Sequence, residues 1–496
     1  TSLIKATKDI LEWAAKRFVS TPLHPWLTFT LRDLRSVVTG LSMASSSGLP
    51  TSSLSISRLI RHECSRIVSD KIVSLADREE ILVYIDATFA KNGVVPGGFA
   101  FSDGSGSRTS PRHAHKRNGS NGGELGSSSG SLSGGGGTSA DDAWLAQRSG
   151  RNINSTFYYH MPMVSSNHAE ASDNMAAAYS SVVGLNAMRP LLEDLIARAN
   201  GGASSVGEDV LRTDEKFGAS MNDSEMQTNG LPSVMSSLKD LQVSLFSDVV
   251  MHCIRASRAL ALSGTHLILL GISGTGKRSI ARLASAAAGF SLLSIPEQGR
   301  RAAAAGKLTD ISAFQSTFLD QLRTIWKVAV INDSPVALLV TAEDCKVHEP
   351  GTHDSSSIVL QYMNQFLPNG MVPGLFTPEE LEGLLLEMST GMSQSTNAQV
   401  EMADRFARNA RLIFCFNSRS AVLQGYFENY PQLLRRSYIN HVDPWSQDAL
   451  AIVAEERLRK IVIAEDQFDT VKHKRKSKKG SSSSSSPLSS RRVAPK

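Results

Sequence analysis

Gly271-Ile-Ser-Gly-Thr-Gly-Lys-Arg-Ser279 decides how the rest of this 496-residue chain is read. The apolar run His266-Leu-Ile-Leu-Leu270 precedes it, and a helical pattern, Ser279-Ile-Ala-Arg-Leu-Ala-Ser285, follows. Strand, glycine loop and helix in that order form the setting of a phosphate-binding loop. Gly271, Gly274 and Gly276 let the backbone turn its N–H groups toward an anion. The helix after them points its positive end to the same place. Ser273 and Thr275 complete the loop, and Lys277 reaches the outer phosphates as a point charge. The match to G-x-x-x-x-G-K-[ST] fails at one position. Arg278 stands where a Mg²⁺-coordinating hydroxyl belongs, and Ser279 comes one residue late. The bland alternative is a glycine-rich turn with no ligand.

A second half of a nucleotide site would be an acidic pair at the tip of a neighbouring strand. Val336-Ala-Leu-Leu-Val-Thr341 runs into Ala342, Glu343 and Asp344. The pair is present, in the order Glu-Asp instead of Asp-Glu. Two other readings stay open: Thr341 and Ala342 occupy the catalytic positions, or the acids merely end a strand in solvent. Leu412-Ile-Phe-Cys-Phe416 is a further buried strand with Asn417 at its tip, placed to hydrogen-bond a γ-phosphate or the attacking water. Arg435-Arg436 supplies charge to a phosphoryl group in trans, or is a surface ion pair.

Around this centre the chain alternates between globular and low-complexity stretches. Residues 1–95 read as a small helical bundle. Its helices cover Ile4–Phe18, a segment from Phe29 ended by Gly40, Ser57–Val73, and a closing segment around Glu80–Ile85. Residues 96–150 are a Gly/Ser-rich insert that buries too little apolar surface to order itself. Residues 151–237 read as a partly disordered connector, with the apolar island Phe157-Tyr-Tyr159 and a helix over Leu185–Ala199. From 238 to 445 strands alternate with helices, which predicts a parallel doubly wound sheet. Strand candidates after the first are Ser291–Ile295, Val328–Ile331, Val336–Thr341 and Leu412–Phe416. Helices are expected at Leu245–Leu262, Ile311–Trp326, Ser357–Phe366, Glu379–Met388 and Ala398–Ala410. Residues 446–470 begin another helical element, and 471–496 form a basic, Ser-rich tail.

Composition narrows the class. The net charge is +5, with much of the excess in Lys472–Lys479. That run has no interleaved aromatics, so a solvated tail is favoured over a nucleic-acid patch or nuclear signal. Cys64, Cys253, Cys345 and Cys415 are scattered and read as reduced thiols, not as a disulfide or zinc framework. No run is apolar and long enough to span a bilayer, and no leader pattern opens the chain. Thr1 in first place suggests a piece of a longer protein.

The motifs in sequence carry a resemblance. HLILLGISGTGKRSIARL, the acidic strand, NGMVPGLFTPEELEGLL, RLIFCFNS and ENYPQLLRRSYINHVDPWSQDAL together resemble the fourth AAA+ module of a dynein heavy chain. Asn369-Gly-Met-Val-Pro-Gly-Leu-Phe376 is the most specific piece. TPLHPWLTFTLRDLRSVVTGL and RLIRHECSRIVSDKIV resemble the lid of the third module. The resemblance implies an α/β AAA+ P-loop module preceded by a small all-helical lid, with disordered Gly/Ser-rich inserts. It implies ATP or ADP on Gly271, Ser273, Gly274, Thr275, Gly276, Lys277, Arg278 and Ser279. It implies Mg²⁺ on Ser279 and Glu343, catalytic roles for Glu343 and Asp344, and Asn417 as the polar sensor. Arg32, in Phe-Thr-Leu-Arg, becomes the lid arginine over the preceding module's nucleotide, and Arg436 the arginine reaching that site. Implied partners are neighbouring AAA+ modules, intermediate and light chains, and microtubules through a stalk outside this segment, with no nucleic acid and no membrane. Arg278, the Glu343-Asp344 order, Glu379-Glu380-Leu381-Glu382 and the lysine-rich stretch are similar to the ciliary class of cytoplasmic dynein, the retrograde motor of intraflagellar transport. That similarity places the chain in cytoplasm, cytoskeleton and cilium. An axonemal heavy chain is the nearest rival. A structural ring segment with a fixed nucleotide and a stand-alone NTPase are the rivals from other classes.

Overall fold

The computed structural model describes residues 2–46, 53–93, 156–165, 179–183, 185–200, 232–297, 301, 308–348, 356–389 and 398–458. The expected insert at 96–150, the polar stretch from Gly201 and the basic tail lie outside the described residues. Two units result, Thr1–Pro444 and Trp445–Lys496. In the second, a helix over 447–458 starts where Ser446 accepts the Ala449 N–H on its hydroxyl, at 3.1 Å.

Four helices open the first unit: α1 Ser2–Arg17, α2 Leu31–Ser46, α3 Ser53–Val68 and α4 Leu75–Lys91. Ser74 caps α4, accepting the Asp77 N–H. The expectation that Gly40 ends α2 is corrected, because the helix runs six residues beyond it. Gly40 serves close approach instead. A Cβ there would lie 2.0 Å from the Glu63 carboxylate of α3.

The apolar island is a strand. β1 Thr156–His160 pairs antiparallel with β2 Tyr179–Val183, and α5 Met188–Ala199 follows. α6 Ser247–Ala261 then leads into the central sheet. Its strands are β3 His266–Gly271, β4 Ser291–Ser294, β5 Val336–Thr341, β6 Ala410–Asn417 and β7 Ser437–His441. They run parallel in the order β4-β5-β6-β3-β7. The longer helices of this part are α7 Lys277–Ala287, α8 Leu308–Val330, α9 Ile358–Asn369, α10 Pro378–Ser389 and α11 Ala398–Asn409, and two short ones, Leu423–Asn429 and Gln432–Arg436, precede β7. The α/β fold with a helical block ahead of it is as expected. β3 and β5 are buried along their whole length, which explains their unbroken apolar runs.

Two elements differ from expectation. Val328–Ile331 is not a strand; Val328, Ala329 and Val330 finish α8, all buried in the core. The break comes at Asp333, whose φ of 46° carries the chain into β5. β7 was not anticipated, because Asn440 and His441 are polar residues buried inside it.

The helical block is fastened to the sheet by a charged seam. Glu63 pairs with Arg258 of α6, and both are almost fully buried. Asp70 takes Arg66 at 3.1 Å, Arg255 at 3.3 Å and the Tyr438 hydroxyl of β7. Arg78 reaches Asp443 at 2.6 Å. Trp26 enters the core beneath the sheet and donates its indole N–H to the Lys71 carbonyl, at 3.1 Å.

Candidate phosphate-binding site

The sheet brings three strand tips to one edge. Gly271, the last residue of β3, is in register with Asn417, the last of β6. Thr341, the last of β5, is in register with Cys415. Ligands in such folds sit beyond the carboxyl ends of the strands.

The loop after β3 needs its glycines. A Cβ on Gly271 would stand 2.5 Å from the Val442 carbonyl oxygen. Gly274 and Gly276 have φ of 88° and 80°, the left-handed region. Thr275 is buried and donates its hydroxyl to the Ile272 carbonyl at 3.0 Å. Ser273 and Gly274 face solvent. α7 begins directly at Lys277, and Ile280 N–H to Gly276 is its first backbone bond. The N–H groups before that point toward the loop without intrahelical partners. Lys277 curls over the loop and donates to the carbonyls of Gly271, at 2.8 Å, and Ile272. Burial lowers its pKa below the usual lysine value, and Cys415 and Arg278 are the neighbouring groups that act on it. No carboxylate is among them.

The acids at the tip of β5 turn elsewhere. Asp344 is 2% exposed, and its carboxylate accepts the Thr341 N–H at 2.6 Å and the Thr341 hydroxyl at 2.7 Å. Glu343 is half exposed and pairs with Lys346 at 2.8 Å. Both lie past the end of β5, Glu343 directly before and Asp344 at the start of a 3-10 turn. β5 itself ends at Thr341, with Ala342 the first residue of the turn. Asn417 points into its own turn, where its side-chain oxygen accepts the Arg419 N–H at 3.1 Å.

A second group assembles away from this loop. Arg32 of α2 lies within electrostatic reach of Arg436, Arg435 and Arg35. Its pKa is lowered by partial burial and then by Arg436. The Arg436 Nε is buried with no hydrogen-bond partner among the described residues. Asp33, the one acid acting on Arg32, is already held by Lys71 at 2.7 Å. The two arginines singled out from opposite ends of the sequence therefore lie within electrostatic reach of one another. Cys415 beside the loop was missed by sequence reasoning, since a buried strand cysteine carries no signal of its own. Burial pushes its thiol up to about 12.

Comparison with known proteins agrees with this architecture. A family model described as the P-loop containing dynein motor region D4 matches residues 241–486, and one for an AAA+ lid domain matches residues 3–92. The chain is 21% identical over 463 residues to human dynein axonemal heavy chain 2, covering 92% of this chain and 8% of that protein. It is 25% identical over 238 residues to a cytoplasmic dynein heavy chain of Fusarium vanettenii, covering 46% of this chain and 5% of that protein. Human dynein axonemal heavy chain 10 is 25% identical over 241 residues, again with 5% of its length covered. The chain thus spans a small fraction of the relatives it matches. With a five-stranded parallel sheet, a P-loop at its edge and a helical lid ahead of it, the chain belongs to the AAA+ region of dynein heavy chains, in the part that holds the D4 module.

Proposed function

We propose that this segment holds ATP or ADP in the D4 loop without turning it over, as a regulatory or structural member of the ring of a microtubule motor. The observation that carries this reading is the split between loop and acids. Gly271–Lys277 keeps every feature needed to grip phosphate. Asp344 is meanwhile engaged by Thr341, and Glu343 by Lys346. Metal-assisted hydrolysis needs a free carboxylate beside the γ-phosphate, and neither is turned that way. The register of Asn417 with Gly271 at the strand tips supports a sensor role for its side chain.

Arg32 and Arg436, with Arg35 and Arg435 behind them, serve a nucleotide held by the preceding module. The electrostatic reach of Arg32 to Arg436, Arg435 and Arg35, and the buried Arg436 Nε without a hydrogen-bond partner among the described residues, support this role. Intermediate chains, light chains and microtubules are partners of the whole motor, reached through parts beyond this segment. Within the family we favour the ciliary retrograde motor of intraflagellar transport, on Arg278, the Glu343-Asp344 order and Glu379–Glu382. Relatives named both axonemal and cytoplasmic leave the axonemal reading as the rival, and targeting to cilium base and shaft or to axonemal arms separates them.

The test is nucleotide binding and turnover by this chain beside two variants. Lys277→Ala is expected to weaken ADP and ATP by about 10–100-fold, the worth of a charge-assisted phosphate contact. Glu343→Gln with Asp344→Asn is expected to leave binding intact, with no turnover before or after. Turnover that the acid variant abolishes would overturn the proposal.

A further inference from the structure

AAA+ modules imply a Mg²⁺ ion beside the nucleotide, and the resemblance implies Ser279 and Glu343 as its ligands. The residues present do not fit that ion. The position after the lysine, where a hydroxyl ligand belongs, is Arg278, a group with five donors and no acceptor. Ser279 lies one residue further along α7, turned about 100° around the helix from that position. The next residue, Ile280, is buried in the core, so the helix cannot rotate to present Ser279 instead without exposing it. On the opposite wall, the Thr341 hydroxyl donates to Asp344. That contact engages the Thr341 hydroxyl and the Asp344 carboxylate with each other. Glu343 is drawn outward by Lys346. Magnesium requires near-octahedral oxygen ligation and sheds water reluctantly. Among the described residues it would meet two cations, Lys277 and Arg278, while Glu343 and Asp344 are both engaged.

We propose that the D4 site of this chain takes its nucleotide phosphates without a divalent cation, the Arg278 guanidinium standing in for the metal's charge. Arg278 is exposed at the first turn of α7, and electrostatically it reaches both Lys277 and Cys415 beneath the loop. A guanidinium binds phosphate oxygens in a planar two-pronged fashion that an ammonium lacks. Lysine, arginine and the helix N-terminus together neutralise a diphosphate without metal. This inference rests on the nucleotide reading above.

The experiment is titration of this chain with fluorescent ADP in excess Mg²⁺ and in excess EDTA. The expected result is equal or tighter binding in EDTA, because Mg²⁺ must be stripped from the nucleotide before it docks. Arg278→Thr, which restores a hydroxyl at an exposed position, is expected to lose about 10–100-fold in EDTA. Arg278→Lys should lose less, having kept the charge but not the fork. Circular dichroism confirms that both variants fold. Binding that vanishes in EDTA and returns with Mg²⁺ overturns the metal-free site while leaving the nucleotide reading in place. Binding in neither condition by the folded chain overturns the nucleotide reading, and this inference with it.

Discussion

The seam between lid and sheet and the mouth of the phosphate loop are both built on cations, and they treat them in opposite ways. At the seam each arginine meets a carboxylate. Arg258 has Glu63, Arg66 and Arg255 share Asp70, and Arg78 has Asp443. Burial alone would raise the Asp70 pKa, but Arg255 and Arg66 outweigh it and hold the carboxyl below its ordinary value. At the mouth, Lys277 is attended by Arg278 and a thiol. Around Arg32 the neighbours are mostly other arginines. A charge whose task is structural must be neutralised inside the protein. One whose task is to hold an anion must be left short of a partner. On the proposed function, the difference separates the parts that hold this module together from those that would receive a ligand.

The sharpest way to break the comparison is at the seam. Arg258→Ala leaves Glu63 buried without its partner, which costs about 3–5 kcal/mol. The urea midpoint should fall accordingly. Replacing both partners together, as Glu63→Leu with Arg258→Met, should recover most of that loss, since a buried pair contributes little net stability over well-packed apolar groups. A loss under about 1 kcal/mol for Arg258→Ala would mean the pair sits in water on the timescale of unfolding. Nucleotide affinity per folded molecule should not change in either variant.

Acid offers a second, somewhat smaller probe of the same interior. His252 lies on the sheet side of the seam, its Nδ1 3.0 Å from the Asn440 side-chain oxygen. His266 accepts the Leu412 N–H on Nδ1 at 3.1 Å, so its Nε2–H donates to the Leu367 carbonyl at 3.2 Å. Burial, helped by Arg255 at His252 and by Arg411 at His266, depresses both pKa values from 6.5 to about 3. The folded state therefore keeps both rings neutral while the unfolded chain protonates them. Stability is full above pH 6.5 and falls as pH drops from there toward 3. The slope is about 1.4 kcal/mol per pH unit for each histidine, or about 2 kcal/mol each by pH 5. Asp443, whose pKa is depressed below 3.8, adds a loss of the same sign only below that pH. Denaturant midpoints across this range should show the histidine slope halved in His252→Gln. An unchanged slope in that variant would refute the assignment.

How much of this was legible in the sequence follows the same division. The sheet and its loop were readable because buried strands such as Leu267–Leu270 are continuously apolar, and because glycine loops have few other uses. α8 was cut short because Val328-Ala-Val330, wholly buried, looks the same in a core helix as in a strand. β7 escaped because its buried polar residues have partners far away in sequence, His252 for Asn440 and Arg78 for His441. Gly40 looked like a helix stop, and only the fold shows Glu63 lying against it. The seam itself was invisible, since no local pattern pairs Glu63 with Arg258. At the site, the loop residues could be named one by one. The direction in which Glu343 and Asp344 face could not, because a turn of one residue past the strand end decides it.

The smallest effect is expected at those two acids, and it bears most directly on the comparison. If they served a nucleotide, as in a hydrolysing module, replacing either would alter affinity or turnover and barely touch stability. If they belong to the structural side of the division, the order reverses. Asp344→Asn keeps the shape but weakens two charge-assisted hydrogen bonds to Thr341, a loss of about 1–2 kcal/mol in unfolding free energy. Glu343→Gln gives up an exposed pair with Lys346, within about 0.5 kcal/mol of no change. Neither should move the dissociation constant for ADP. A carboxylate engaged by its own strand tip behaves like those of the seam, and the unequal cost of the two substitutions would place Asp344 among the groups that hold the sheet together, although it lies just past the tip of β5, at the same edge of the sheet as the phosphate loop.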